Sequence, residues 1–400
     1  MFTPTKRLGQ KEFIAMTAMM FATIAFSIDA MLPALPAIAD DISAAAPNRV
    51  PLIITSFVLG MGVGTLLAGP ISDRFGRRSI IILGGILYII GAALASMSHS
   101  LDMILAARVL QGMGAAGPRV VGLAVVRDQY SGRDMARITS FVMMIFTLLP
   151  AIAPTIGAAL VYVAGWRGIF GAFIVFSMFS VGWFTLRQPE TLPVESRRPL
   201  HLATMARAVV EIFSHRLVVV AILIQTCIYS TLFMYLGSTQ QVFDQYFEEG
   251  AHFHVWVGLI ALIAGSGSFT NAQLVGRLGM YVLVRATLNL HVVLTAIALV
   301  VLGLEFIPGG VKFVVFVFWS ITVFGALGLT IGNLNALSME PLGHIAGLSA
   351  SIIGATAMIA SSLIAGPVAT AFDGTPLPMV IGILTMVVLA RLLFFVLPKA

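Results

Sequence analysis

Gly69-Pro70-Ile71-Ser72-Asp73-Arg74-Phe75-Gly76-Arg77-Arg78 is a charged interruption between two apolar runs, residues 51–72 and 79–98. Each run is long enough to cross the ~30 Å hydrocarbon core of a bilayer as a helix. The glycines of this stretch permit a tight turn between helices, and Asp73 can pair with an arginine or cap a neighbouring helix N-terminus. The arginines suit a loop held at the headgroup level.

The same alternation of apolar run and short polar break continues outward over 400 residues. The chain is 59% hydrophobic and 10% charged, with mean hydropathy +1.01. That leaves too little polar surface to wet a soluble globule of this size. In lipid every backbone N–H and C=O needs an internal partner, and apolar runs above about 18 residues select spanning helices over barrel strands of about 10 residues. Hydropathy and Gly/Pro punctuation place spans near 12–37, 51–72, 79–98, 101–125, 138–163, 167–187, 216–241, 253–275, 283–305, 311–335, 345–371 and 378–398. The fold class is therefore an all-α membrane protein of twelve transmembrane helices. Lys6, Arg7 and Lys11 precede the first apolar run without a small-residue cleavage site, so the run from about Phe13 is read as an uncleaved first span.

Charge sets the orientation. With the N-terminus cytoplasmic, the cytoplasmic loops hold Arg74, Arg77, Arg78, Arg127, Arg133, Arg137, Arg197, Arg198, Arg207, Arg277 and Arg285. The opposite loops hold mostly acids, Asp40, Asp41, Asp244, Glu248, Glu249, Glu305 and Asp373. This asymmetry follows the positive-inside rule, with both termini cytoplasmic, and it accounts for the net charge of +6 without a nucleic-acid partner. The single Cys227 cannot form an intramolecular disulfide. No GxxxxGK[ST] loop, HExxH or CxxC is present, and His252 and His254 read as a solvated pair rather than metal ligands. An ATP-driven pump and a membrane enzyme are disfavoured; no cofactor or metal is expected. The partners expected are the bilayer and a small-molecule substrate, handled by a monomer.

The longest polar connection, Gln188 to His215, carries Pro189, Pro193, Pro199 and several arginines. It divides the chain into an N-terminal bundle (1–187), a cytoplasmic linker (188–215) and a C-terminal bundle (216–400). An internal echo supports six spans per half. Ala272-Gln273-Leu274-Val275-Gly276-Arg277-Leu278-Gly279 repeats the pattern of Gly69–Gly76 half a chain later, with Gly276 standing where the first copy has Asp73.

Gly69, Asp73, Arg74, Gly76, Arg77 and Arg78 closely resemble the signature loop of the major facilitator superfamily. Arg108-Val109-Leu110-Gln111-Gly112-Met113-Gly114-Ala115-Ala116 looks like that superfamily's motif carrying an intramembrane arginine in proton-driven exporters. The stretch from Ser27 to Pro36 in span 1 is similar to the opening helix of the Bcr/CflA-type drug resistance branch, with Asp29 at its acidic position. Taken together the resemblance covers the whole chain. It implies two six-helix bundles with a central cavity lined by spans 1, 4, 7 and 10, and a latch loop that breaks as the halves rock. One departure bears on direction: of the exporter motif Gly-x-x-x-Gly-Pro-x-x-Gly-Gly in span 5, only Pro154 and Gly157 survive, beside Leu149, Ala153 and Ala158.

Charges within the spans point to the transport path, because a charged side chain at that depth costs at least ~2–3 kcal/mol. Asp29 and Arg108 fall about 10 Å below the same membrane surface, where a pairing is geometrically possible. The reading is that protonation of Asp29 frees Arg108 while substrate favours deprotonation, with the proton as coupling ion. The alternative is a static pair that orients two helices. Small residues at 112, 114, 115 and 116 allow close helix packing. Arg119 shares a helix face with Arg108, Gln111 and Ala115; it either lines the cavity, which suits an anionic substrate, or reaches the cytoplasmic interface or Asp128. Met143 and Phe146 offer an adaptable apolar wall, though both are ordinary packing residues. Gln225 and Tyr229 in span 7, and Trp319 and Asn333 in span 10, are further candidate contacts or satisfied interhelical polar groups. The leading function is proton-coupled efflux of small amphipathic compounds across a bacterial inner membrane. A carrier of a small organic anion and a non-transporting membrane sensor are the alternatives.

Overall fold

The computed structural model describes residues 8–197 and 202–398; Lys6, Arg7, Arg198 and Pro199 lie outside the described residues. The helices are α1 (Gln10–Asp29), α2 (Leu35–Ile42), α3 (Leu52–Phe75), α4 (Arg77–Ser96), α5 (Leu101–Gln129), α6 (Gly132–Arg187), α7 (Leu202–Ser214), α8 (Arg216–Gln241), α9 (Phe253–Leu278), α10 (Met280–Gly303), α11 (Gly309–Met339), α12 (Ala346–Ala369) and α13 (Leu377–Phe395).

Among the described residues, ten helical runs are long and apolar enough to cross a membrane. Two of them are too long to be single crossings. The 56 residues of α6 would extend about 84 Å if straight, and they are broken at Gly165, whose φ of 67° only glycine adopts freely. The run Gly309–Ala369 is likewise divided by the 3₁₀ segment Glu340–Ile345 between α11 and α12. Counting both halves of each, the described residues hold twelve helical segments of membrane-spanning character. Span 1 departs from the expected continuous helix over 12–37. It stops at Asp29, passes through a 3₁₀ turn at Leu32–Ala34 and resumes as α2, because Pro33 and Pro36 lack the N–H groups that would continue the ladder.

The helices form two compact units. In the first, residues 1–43 and 56–205, Phe13, Met16, Phe21, Ile81, Val121, Val125 and Phe184 meet in one core drawn from α1, α4, α5 and α6. In the second, residues 44–55 and 206–400, Ala221, Ile224, Ile228, Val284, Leu288, Leu334 and Phe394 do the same for α8, α10, α11 and α13. The division falls at Met205, inside the connection read as a linker, and that connection contains the helix α7 rather than coil alone. Residues 44–55, which the sequence division assigned to 1–187, group with the second unit. There Asn48 donates to the Phe372 carbonyl (2.7 Å) and accepts from Gln241 Nε2 (3.1 Å).

Burial marks the faces that meet lipid. On α4, Leu83, Ile86, Ile90 and Leu94 are exposed at a spacing of three to four residues, while Ile81, Tyr88, Ala92 and Ala95 are buried. So long an apolar stripe fits hydrocarbon rather than water. The internal echo is also a backbone echo: Gly76 (φ 95°, ψ 153°) and Gly279 (φ 80°, ψ 155°) occupy the same N-cap position before α4 and α10.

Candidate functional site

The break in span 1 creates the site. Because α1 ends at Asp29, with the Ala30 amide closing on the Phe26 carbonyl, the carbonyls from Ser27 onward no longer meet donors four residues ahead. Arg108, fully buried on α5, fills part of that need: its Nη2 donates to the Ser27 carbonyl (3.0 Å) and its Nη1 to Gln111 Oε1 (2.7 Å). The guanidinium carbon also lies 4.3 Å from the Phe57 ring centroid. A cation at the C-terminal end of a helix complements the helix dipole. Ser27 is held from both sides, since its hydroxyl donates to the Thr23 carbonyl (2.6 Å) and bonds the Tyr88 hydroxyl. Tyr88 was not singled out in the sequence, where a lone tyrosine in an apolar span carries no signal.

Asp29 is 4% exposed and has no hydrogen-bond or ion-pair partner among the described residues. The pairing with Arg108 considered from the sequence is therefore replaced: Arg108 serves a backbone carbonyl two residues before Asp29 and leaves the carboxyl alone. Gly157 on α6 completes the break, because a Cβ there would lie 2.2 Å from the Ala30 carbonyl oxygen. The one glycine kept from the eroded span 5 motif thus presses against the residue after Asp29.

The loop between α3 and α4 is a closed charge cluster within the first unit. Arg77 donates to Asp73, to Ser72 Oγ (2.7 Å) and, through Nε, to Asp128 Oδ2 (3.1 Å). Arg78 Nη2 donates to the Thr185 carbonyl (2.7 Å), and Arg74 is exposed beside Phe75. Asp73 does not cap a helix. The N-terminus of α4 is capped instead by Glu190, whose carboxylate accepts from the backbone N–H groups of Arg77 (2.9 Å) and Arg78 (3.1 Å). The same carboxylate accepts from its own strap, Thr191 N and Leu192 N. A side chain at Gly76 would collide with Glu190 Oε2 (2.4 Å from an ideal Cβ), so this glycine serves both the positive φ and the cap. Glu190→Gln should weaken the cap by about 1 kcal/mol, raising hydrogen exchange at the Arg77 and Arg78 amides about fivefold. Unchanged protection there would remove Glu190 from that role.

Two bundles of spanning helices, an arginine clamp at a broken first span and a capped basic loop are all in place, and the family pattern described as the Major Facilitator Superfamily matches residues 16–365. The chain belongs to the Major Facilitator Superfamily. This facilitator is 29% identical over 377 residues to the MFS-type transporter YdgK of Bacillus subtilis, covering 93% of this chain and 92% of that protein. It is 27% identical over 380 residues to the bicyclomycin resistance protein homolog of Haemophilus influenzae, covering 92% of each. In fold it is similar to the D-xylose-proton symporter crystal structure, with a TM-score of 0.73 at 15% identity over 97% of this chain and 98% of that one. It is thus a membrane transporter rather than an enzyme.

The facilitator's remaining candidate residues separate by what surrounds them. Gln111 is buried, accepts from Arg108 and keeps an unanswered Nε2. Arg119, partly buried on α5, does not pair with Asp128, which is taken by Arg77 and Thr191. Met143 and Phe146 pack against the first unit's core, Phe146 edge-on to Phe21. In the second unit Gln225 is fully buried with neither amide atom bonded, and Tyr229 stacks on Phe233. Trp319 is 1% exposed and donates to Thr295 Oγ1 (3.1 Å), so it offers a ligand neither surface nor donor. Asn333, 4% exposed, donates to Asn271 Oδ1 (2.7 Å) and the Leu329 carbonyl, which makes it an interhelical tie rather than a free contact.

Proposed function

We propose that this facilitator exports small amphipathic compounds in exchange for protons, as a monomer in a bacterial inner membrane with both termini cytoplasmic. The observation that carries the reading is Asp29. A carboxyl enclosed by the protein, without a cation to hold its charge, sits where the first span is interrupted. An ion left without partners in such surroundings is costly, so exchange of a proton or approach of a cationic substrate relieves the same cost. That shared relief is the competition an antiporter needs. Arg108, Gln111 and Tyr88 keep the end of α1 in place around it. The loop from Gly69 to Arg78, with Asp128 and Glu190, is the latch whose contacts change with conformation. The relative named for bicyclomycin resistance, matched nearly end to end, supports a drug-like substrate.

The test uses the purified chain in proteoliposomes with an imposed proton gradient and a panel of lipophilic cations, neutral drugs and organic anions. Gradient-dependent movement of cations or neutral drugs is expected. Movement confined to anions, and lost in Arg119→Ala, would replace this reading with an organic-anion carrier. No gradient-dependent movement of any class would end the proposal of coupled transport.

A further inference from the structure

The second unit carries a basic cluster that the transport path does not use. Arg285 and Asn289 are exposed one turn apart on α10, and Arg391 on the adjacent α13 donates through Nε to Asn289 Oδ1. Arg391 Nη1 is buried without a partner, and its guanidinium lies 3.8 Å from the Phe395 ring centroid. Arg285 has no ion-pair partner among the described residues. Neither α10 nor α13 contains an Asp or Glu. Two arginines thus sit on a lipid-facing surface whose own helices hold no counter-charge.

Their depth is that of a headgroup. Arg285 is about 7 Å from the start of α10 and Arg391 about 6 Å from the end of α13, on the same side of the membrane. Tyr281 packs on Phe394 at this end (centroids 4.5 Å apart), an aromatic placement common at the water interface. Deeper on the same face of α10, Asn289 is followed by exposed Val293, Ile297 and Val300. Those residues border a groove of about 440 Å³ lined by Val292, Val293, Ala296, Ile297, Val300 and Val301. One leaflet supplies about 15 Å of acyl chain, which from Arg285 reaches Val293 and Ala296.

We propose that this face binds one anionic glycerophospholipid of the leaflet facing the α9–α10 turn. Its phosphate is held by Arg285, the Arg391 guanidinium and the free Asn289 Nδ2, and one acyl chain lies along α10 into the near end of the groove. The donors match a phosphate oxygen set, and guanidinium suits phosphate geometry better than an ammonium does. A soluble phosphate would leave the groove unused, whereas a zwitterionic lipid brings a cation of its own beside the two arginines.

Native mass spectrometry of the delipidated full-length protein, titrated with dioleoylphosphatidylglycerol or dioleoylphosphatidylcholine, tests this. The wild type should retain one phosphatidylglycerol at about tenfold lower concentration than phosphatidylcholine. The exposed substitution Arg285→Gln and, separately, Arg391→Gln should each remove most of that preference. Ala296→Trp, which fills the groove, should weaken both lipids together. Equal retention of the two lipids by the wild type, or an undiminished preference in the Arg285→Gln/Arg391→Gln double variant, would overturn the site. Displacement of the lipid by millimolar inorganic phosphate would overturn the lipid as its occupant.

Discussion

Asp29→Asn should abolish uphill transport while leaving downhill exchange of the same substrate intact. Asn keeps the size of the side chain and removes only its ability to ionise, and Asp29 has no hydrogen bond or ion pair among the described residues to lose. The variant should therefore fold as well as the wild type, or better, because a buried carboxylate without a partner disfavours the folded state when charged. If substrate and proton compete for this group, each weakens the other's binding by the same factor. Release of one proton per substrate then makes the wild-type apparent Kd rise up to about tenfold for each pH unit of acidification, over the range where Asp29 titrates. In Asp29→Asn that dependence should be flat. The other titratable groups at the site, Arg108 and Tyr88, are fixed by bonds to Ser27 and remain in the variant as internal controls. Transport that still follows a proton gradient in Asp29→Asn, or a binding curve that keeps its pH slope, would sink the assignment of Asp29 as proton carrier.

How much of this was legible follows from what kind of partner each residue has. Spans were readable because hydrocarbon demands length and apolarity from each segment alone. The loop from Gly69 to Arg78 was readable because its glycines and charges act within ten residues, and Gly279 shares the backbone angles of Gly76. Long-range partners were not readable. Arg108 reaches a backbone carbonyl, and a carbonyl has no residue identity to detect. Glu190 caps a helix that begins 113 residues earlier, so its role exists only after folding. Trp319 and Asn333 presented polar atoms in apolar spans, but Thr295 and Asn271 on neighbouring helices answer them. The early stop of span 1 was half legible: Pro33 and Pro36 announce a break, yet the apolar run continues through it and conceals where α1 ends.

Arg108→Leu should cost stability and transport together, and Asp29→Asn should not rescue it. The guanidinium bonds two acceptors at once, Gln111 Oε1 through one nitrogen and the Ser27 carbonyl through another, with its carbon 4.3 Å from the Phe57 ring centroid. Leucine leaves both acceptors in surroundings without water, at about 1–3 kcal/mol for each group stranded. Lysine keeps the charge but offers a single nitrogen in place of a fork, so Arg108→Lys should fall between leucine and wild type. Loosening should show first where the clamp acts. Hydrogen exchange at the Ala30 amide, which closes the last turn of α1 on the Phe26 carbonyl, should accelerate in both variants. A double-mutant cycle separates this clamp from an ion pair. If Arg108 existed to balance Asp29, neutralising both would restore stability, with a coupling well above 1 kcal/mol. Because no ion pair joins the two side chains, the cycle between Arg108→Leu and Asp29→Asn should close within about 0.5 kcal/mol. On that outcome Arg108 acts by holding the end of the first span, and this keeps Asp29 enclosed.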